Sequence, residues 1–167
     1  MITRNAPYFK TVPLCNGQEG PPPLCCSVER DVRFEEVDSL GIVWHGRYPS
    51  YFEDGRVALG NKYGIGYLDI HAAGFVVPVK QIGIDYIAPL RFGERCRIST
   101  SLHWTEASRL NFSYSITDTM GSLIATGFTV QLFMTIDLEL CIIRPEFYLA
   151  FCDKWLSGTL PGSEKAW

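Results

Sequence analysis

Residues 37–55 read VDSLGIVWHGRYPSYFEDG, and the fold turns on how this stretch divides. Its first half holds one carboxylate, Asp38, among small and apolar residues, with Gly41 close behind. Its second half opens a helical repeat, because Tyr48, Phe52, Gly55, Leu59 and Tyr63 recur at steps of four, three, four and four, the spacing of one helix face. Pro49 is tolerated only in a first helical turn and Gly64 is a common helix-ending residue, so the spacing predicts a helix of about 15 residues. Gly55, Ala58 and Gly60 are small enough to let it lie close on a sheet, while Glu53, Asp54, Arg56 and Asn61 face elsewhere. An acid therefore precedes a helix N-terminus, where unpaired N–H groups and the positive end of the dipole gather.

Upstream, Val32 and Phe34 alternate with Arg33 and Glu35, the period of a half-buried strand running from Asp31 to Asp38. Residues 1–29 differ: NGQEGPPPLCC combines turn formers, three successive prolines and no periodicity, which favours an extended arm. Downstream, after a loop at DIHAAG, four strand signals follow: FVVPVKQIGIDYIAP, RCRISTSLHWTE, RLNFSYSITD and LIATGFTVQLFMTID. The last two are joined by the hairpin turn DTMG. In RPEFYLAFCDKW, the residues Phe147, Tyr148, Phe151, Cys152 and Trp155 fall at helical spacing, a short C-terminal helix, and SGTLPGSEKAW forms a loose tail. One long helix and an antiparallel meander make an α+β domain over residues 30–156, between an arm at 1–29 and a tail at 157–167.

A chain of 167 residues, 47% hydrophobic and 20% charged, holds enough apolar surface for one real core. The net charge of −3 supplies no global basic field, which argues against nucleic acid as a partner. No apolar run approaches the roughly 18 residues of a membrane span, and MITRNAPYFK lacks the apolar core of a secretory signal; the expected location is the cytoplasm, off the membrane. The six cysteines show no CxxC spacing and the three histidines no ligand spacing with them, so reduced thiols and no metal are expected.

The pattern D-x-x-G-[IV]-V-[WY]-[HY]-x-x-Y is complete from Asp38 to Tyr48. It resembles the 4-hydroxybenzoyl-CoA thioesterase-like, YbgC-like acyl-CoA thioesterase branch of the hotdog fold. In the same order, GFVVPVKQIGIDYIAPLRFGE resembles that family's second strand and following turn, and WTEASRLNFSYSI its central hairpin; together they span roughly residues 30–147. The resemblance implies a curved antiparallel sheet wrapped around one central helix. It also implies hydrolysis of an acyl-CoA or acyl-carrier-protein thioester by a homodimer or a tetramer built as a dimer of dimers. No cofactor is implied, coenzyme A being part of the substrate. Asp38 takes the position of the catalytic carboxylate, and His45 that of the residue whose backbone N–H holds the thioester oxygen. Gly41, Val43, Trp44, Tyr48 and Glu53 fall around the oxyanion and substrate. Ser108 and Arg109 fall at the hairpin where some relatives bind CoA, although those relatives carry several bases there and TEASR carries one.

These residue types suit thioester chemistry. An aspartate can attack a carbonyl directly or align water as a general base, and a helix start offers N–H groups to the oxyanion. Asp38 could equally cap a turn, and the His45 imidazole could orient substrate, though its backbone is the first expectation. Glu53 and Asp54 are the competing carboxylates, since some hotdog thioesterases draw theirs from this helix; Asp85 reads as structural or interfacial. Trp44, Tyr48, Tyr51, Tyr67 and Phe75 could wall an acyl pocket. Arg47, Arg56, Lys62, Arg91 and Arg95 could meet an acidic carrier protein. The alternatives are a hotdog hydratase or dehydratase, with His71 as its base, and a non-catalytic acyl-binding protein that interacts through the arm.

Overall fold

The computed structural model describes Tyr8, Phe9, Leu14 and residues 19–161. In chain order the elements are β1 (Leu24–Asp31), α1 (Tyr48–Tyr63), α2 (Tyr67–Ala72), β2 (Phe75–Val76), β3 (Val79–Tyr86), β4 (Arg95–His103), β5 (Arg109–Asp118), β6 (Leu123–Leu132), β7 (Met134–Thr135) and α3 (Glu146–Leu156). Five strands form one antiparallel sheet in the order β1-β4-β5-β6-β3, and β2 pairs with β7 in a small second sheet.

The main sheet turns alternate residues inward as its period of two requires. Cys96, Ile98, Thr100 and Leu102 of β4 and Leu110, Phe112, Tyr114 and Ile116 of β5 are buried. Against them lies the expected face of α1, with Tyr48, Phe52, Gly55, Leu59 and Tyr63 all buried. The Phe52 ring stacks on Tyr114 at 4.1 Å. The approach is as close as the small residues suggest, for a Cβ added to Gly55 would stand 2.1 Å from Thr100 Oγ1. The short helix α3 buries Tyr148, Phe151, Cys152 and Trp155, and the Trp155 ring meets Trp104 edge-on at 5.3 Å.

Several boundaries differ from the sequence expectation. The strand expected from Asp31 lies earlier, as β1, within the stretch read as an arm; Leu24 is buried and Cys26 and Val28 are half-buried, alternating with exposed neighbours. Small, weakly apolar side chains just after three prolines hide that period. Beyond it, Val32 bonds to Glu94 instead of a strand, and Phe34–Glu36 forms a 3-10 turn that leaves Phe34 outside, edge-on to Phe92. The expected loop at DIHAAG is largely α2, whose first turn is closed by Asp69 Oδ2 accepting the Gly66 N–H at 2.8 Å. FVVPVKQ is cut at Pro78, which has no N–H for a ladder, and LIATGFTVQLFMTID is cut at the buried Phe133. Arg56, expected on the outer face of α1, is buried, and within the expected loose tail Leu160 is buried; residues 162–167 lie outside the described residues.

Candidate active site

Asp38 sits in a tight reversal of the chain. Its N–H donates to the Ile42 carbonyl at 2.9 Å, the Gly41 N–H donates back to the Asp38 carbonyl at 3.0 Å, and Val37 bridges Val43. Gly41 supplies the left-handed conformation, at φ 72°, that closes such a turn. The half-buried Asp38 side chain joins in through one oxygen only: Oδ1 accepts the Leu40 N–H at 2.8 Å. Among the described residues no donor is bonded to Oδ2. The capping role is thus real, and it leaves one carboxylate oxygen for other work.

The returning limb is fixed to two different parts of the fold, the Val43 N–H to the Leu90 carbonyl at 2.8 Å and the Trp44 N–H to the Glu36 carbonyl at 2.9 Å. It then enters a single 3-10 turn, His45–Arg47, that runs directly into α1. The Arg47 N–H closes this turn on the Trp44 carbonyl at 2.9 Å. The N–H groups of His45 and Gly46, the first two of the turn, have no acceptor among the described residues, as the start of a helix requires. A Cβ added at position 46 would fall 2.2 Å from the Trp44 ring, so any larger residue there requires that ring to move. The exposed His45 imidazole lies 5.0 Å from that ring, and the His45 carbonyl accepts the Tyr86 hydroxyl at 2.9 Å.

Beneath the hairpin lies an ion network. The Glu36 carboxylate, almost fully buried, accepts the Arg33 N–H at 2.9 Å and the Tyr51 hydroxyl at 3.0 Å and pairs with Arg30. Arg30 also pairs with Asp54 of α1 and lies 4.1 Å over the Tyr51 ring. Burial pushes the Glu36 carboxyl up, but the Arg33 amide, the Tyr51 hydroxyl and Arg30 together outweigh it and hold the group below its ordinary value of 4.5. A depressed carboxyl stabilises the fold above its unfolded pKa and loses that contribution as pH falls through the folded one. Urea midpoints measured from neutral pH down through the glutamate range should therefore show Glu36→Gln less stable at neutral pH and with a flatter acid limb. The expected loss is about 2 kcal/mol, less than the roughly 3–5 kcal/mol of a fully broken buried pair because Arg30 keeps Asp54. Equal midpoints at neutral pH would remove Glu36 from the support of the hairpin.

Of the other expected site residues, Gly41, Val43 and Trp44 belong to the hairpin just described. Tyr48 is buried, stacked 5.8 Å from Tyr51 and edge-on to Tyr86 at 5.0 Å; burial first, then the neighbouring Tyr86 and Cys96, pushes its hydroxyl up to about 12. Glu53 is exposed on α1. Ser108 and Arg109 are remote in the chain; the Ser108 hydroxyl donates to the Ile143 carbonyl at 3.2 Å, and Arg109 Nε is buried without a partner. Among the aromatic candidates, Tyr51 is fully buried, Tyr67 accepts from Arg56 Nε at 2.7 Å, and Phe75 stacks on Phe147 at 5.4 Å. Of the bases, Arg95 is paired with Asp31, Lys62 donates to the Cys25 carbonyl, Arg47 donates to the Glu35 carbonyl, and Arg56 bonds to the hydroxyls of Tyr67 and Tyr114. Sequence reasoning missed Glu36, Arg30 and Tyr86. Glu36 carries one legible signal, a glutamate three positions after the residue that begins its turn; Tyr86 carries none, since its partner is 41 residues away.

Residues 32–151 match the family described as the thioesterase-like superfamily. YneP of Bacillus subtilis (strain 168), to which acyl-CoA thioesterase activity is provisionally ascribed, is 35% identical over 95 residues, 57% of this chain and 69% of YneP. The chloroplastic acyl-acyl carrier protein thioesterase ATL3 of Arabidopsis thaliana is 27% identical over 89 residues, 53% of this chain and 47% of ATL3. The solved structure of a DHNA-CoA thioesterase from Staphylococcus aureus superposes with a TM-score of 0.71 at 25% identity, covering 80% of this chain and 89% of that one. With its five-stranded antiparallel sheet on one long helix and the motif from Asp38 to Tyr48, the chain belongs to the thioesterase-like superfamily, with the hotdog fold.

Proposed function

We propose that the protein hydrolyses an acyl-CoA or acyl-carrier-protein thioester to free acid and thiol, with Asp38 as the reacting carboxylate. The observation that carries this reading is the free Oδ2 of Asp38 on a hairpin that leads into a turn with two unengaged N–H groups. Attack by Oδ2 on the thioester carbon drives its π electrons onto oxygen, where the N–H groups of the turn hold the charge. Collapse then breaks the C–S bond, releases thiolate and leaves a mixed anhydride for water to open. Alternatively, Oδ2 takes a proton from water as the oxygen of that water adds to the same carbon. His45 serves through its N–H, and Gly41, Val43, Trp44 and Tyr48 hold the surroundings. Arg109, with an unpartnered Nε, is the candidate for a CoA phosphate. A panel of benzoyl-, phenylacetyl-, hexanoyl- and decanoyl-CoA, with the same acids on a carrier protein, tests the reading by release of free thiol. Failure to release thiol from any member would sink it. The hydratase alternative has less support, because its base, His71, lies exposed on α2.

The active unit is at least a dimer joined along β3. Among the described residues neither outer strand of the main sheet has a further strand paired to it, but β1 is blunted by Glu29, Arg30 and Asp31, whereas β3 exposes Val79, Ile82 and Tyr86, an edge that invites pairing. Sedimentation at micromolar concentration should give twice the chain mass or more. A stable monomer that hydrolyses thioesters would refute the dimer.

A further inference from the structure

We propose that Tyr86 is a positioning residue that aims the Gly46 N–H at the substrate oxygen, making Gly46 a second oxyanion donor beside His45. The inference rests on the thioesterase reading above. In a trans peptide the carbonyl of one residue and the N–H of the next point in opposite directions, so whatever holds the His45 carbonyl also sets the Gly46 N–H. In a regular helix the His45 carbonyl would accept from residue 49, but residue 49 is proline and has no N–H. The Tyr86 hydroxyl, delivered by β3, donates to that carbonyl at 2.9 Å. Its ring is held edge-on to Tyr48 at 5.0 Å and to His45 at 6.5 Å.

The neighbouring peptide is arranged in the same way. The Arg47 N–H ties the Trp44 carbonyl at 2.9 Å, which sets the His45 N–H. Both unengaged donors therefore stand on peptide planes whose far ends are tied, and a bond accepted at the carbonyl polarises the peptide and strengthens its N–H as a donor. Glycine at 46 adds no side chain, and the place a Cβ would take is filled by the Trp44 ring.

The test is Tyr86→Phe, assayed on whichever acyl-CoA of the panel the wild type hydrolyses fastest. Removing an oxyanion donor outright costs about 10²–10³ in kcat; a donor left in place but no longer aimed should cost about 10-fold, with KM within about twofold of wild type. Because the ring remains and the hydroxyl is near the surface, the melting temperature should hold. Adding Pro49→Ala gives residue 49 an N–H for the His45 carbonyl, and the double variant should recover most of the lost kcat. The Gly46 amide resonance should move in Tyr86→Phe and return in the double variant. Wild-type kcat in Tyr86→Phe, a change confined to KM, or a kcat loss that Pro49→Ala does not restore would each overturn the proposal. Asp38→Asn separates the two levels. If Asp38→Asn is inactive while Tyr86→Phe is normal, only the role of Tyr86 fails; if Asp38→Asn is fully active, the reading beneath it fails as well.

Discussion

Asparagine at position 38 is expected to lower kcat by at least about 100-fold, the usual cost of losing a general base, while leaving KM within a few-fold. The substitution is clean because the turn bond and the proposed reacting atom lie on different oxygens of Asp38. The asparagine carbonyl can still accept the Leu40 N–H, which Oδ1 now takes at 2.8 Å, so the turn and the limb returning to His45 survive. What disappears is the anionic oxygen to which the proposed reaction assigns the attack or the proton transfer. His45→Ala should cost far less, since the N–H it contributes belongs to the main chain, and Glu53→Gln, on an exposed position of α1, should be close to silent. A nearly fully active Asp38→Asn beside a dead Glu53→Gln would move the carboxylate onto the helix, with the fold unchanged.

What could be read in advance follows the range of the interactions involved. The α1 face and β5 were legible because each is a local period, and every residue of the repeat from Tyr48 to Tyr63 points inward. Arg56 was not, because it lies beside that face and its burial depends on Tyr67 and Tyr114, 11 and 58 residues away. The same holds for Tyr86, whose importance lies in one bond across the molecule. Asp38 was legible as a turn cap or a candidate catalyst, but not that its cap uses Oδ1 alone and leaves Oδ2 unengaged, since the sequence cannot separate two oxygens of one carboxylate. Glu36 shows a third kind of loss: it sits in a stretch whose alternation looked like a strand, whereas the chain there turns and aims the carboxylate inward at Arg30 and Tyr51. The strand itself was overlooked because Cys25, Cys26 and Ser27 give β1 little hydrophobic contrast, and packing against α1 and β4 makes up the difference.

That displaced strand reverses the expectation for the N-terminal stretch. Read as an arm without periodicity, residues 1–27 would be dispensable; in the folded chain their removal takes away the half of β1 that pairs Leu24, Cys25, Cys26 and Ser27 with Leu102, Ser101, Thr100 and Ser99. Burial of Leu24 alone is worth about 2 kcal/mol. The cut also removes two acceptors: the Pro22 carbonyl, bonded to the Trp155 indole N–H at 3.0 Å, and the Cys25 carbonyl, bonded to the Tyr63 hydroxyl at 3.0 Å. Losing these half-buried bonds costs about 1 kcal/mol each, with the loss of the Leu24–Ser27 ladder added to it. The sum is on the order of 5 kcal/mol, comparable to the lower end of a domain's whole stability of about 5–15 kcal/mol. At about 2–4 °C per kcal/mol for a chain of this size, the chain lacking residues 1–27 should melt about 15 °C lower or fail to accumulate in soluble form. Removing residues 1–18 instead leaves Pro22 and all of β1 in place but severs the Tyr8 hydroxyl from Asp85 and Thr126, the Tyr8 and Phe9 rings from Phe128, and half-buried Leu14 from the core, so its melting temperature should fall by clearly less than that of the chain lacking residues 1–27. A 28–167 chain as stable as the parent would mean that the first half of β1 contributes nothing to the sheet it edges.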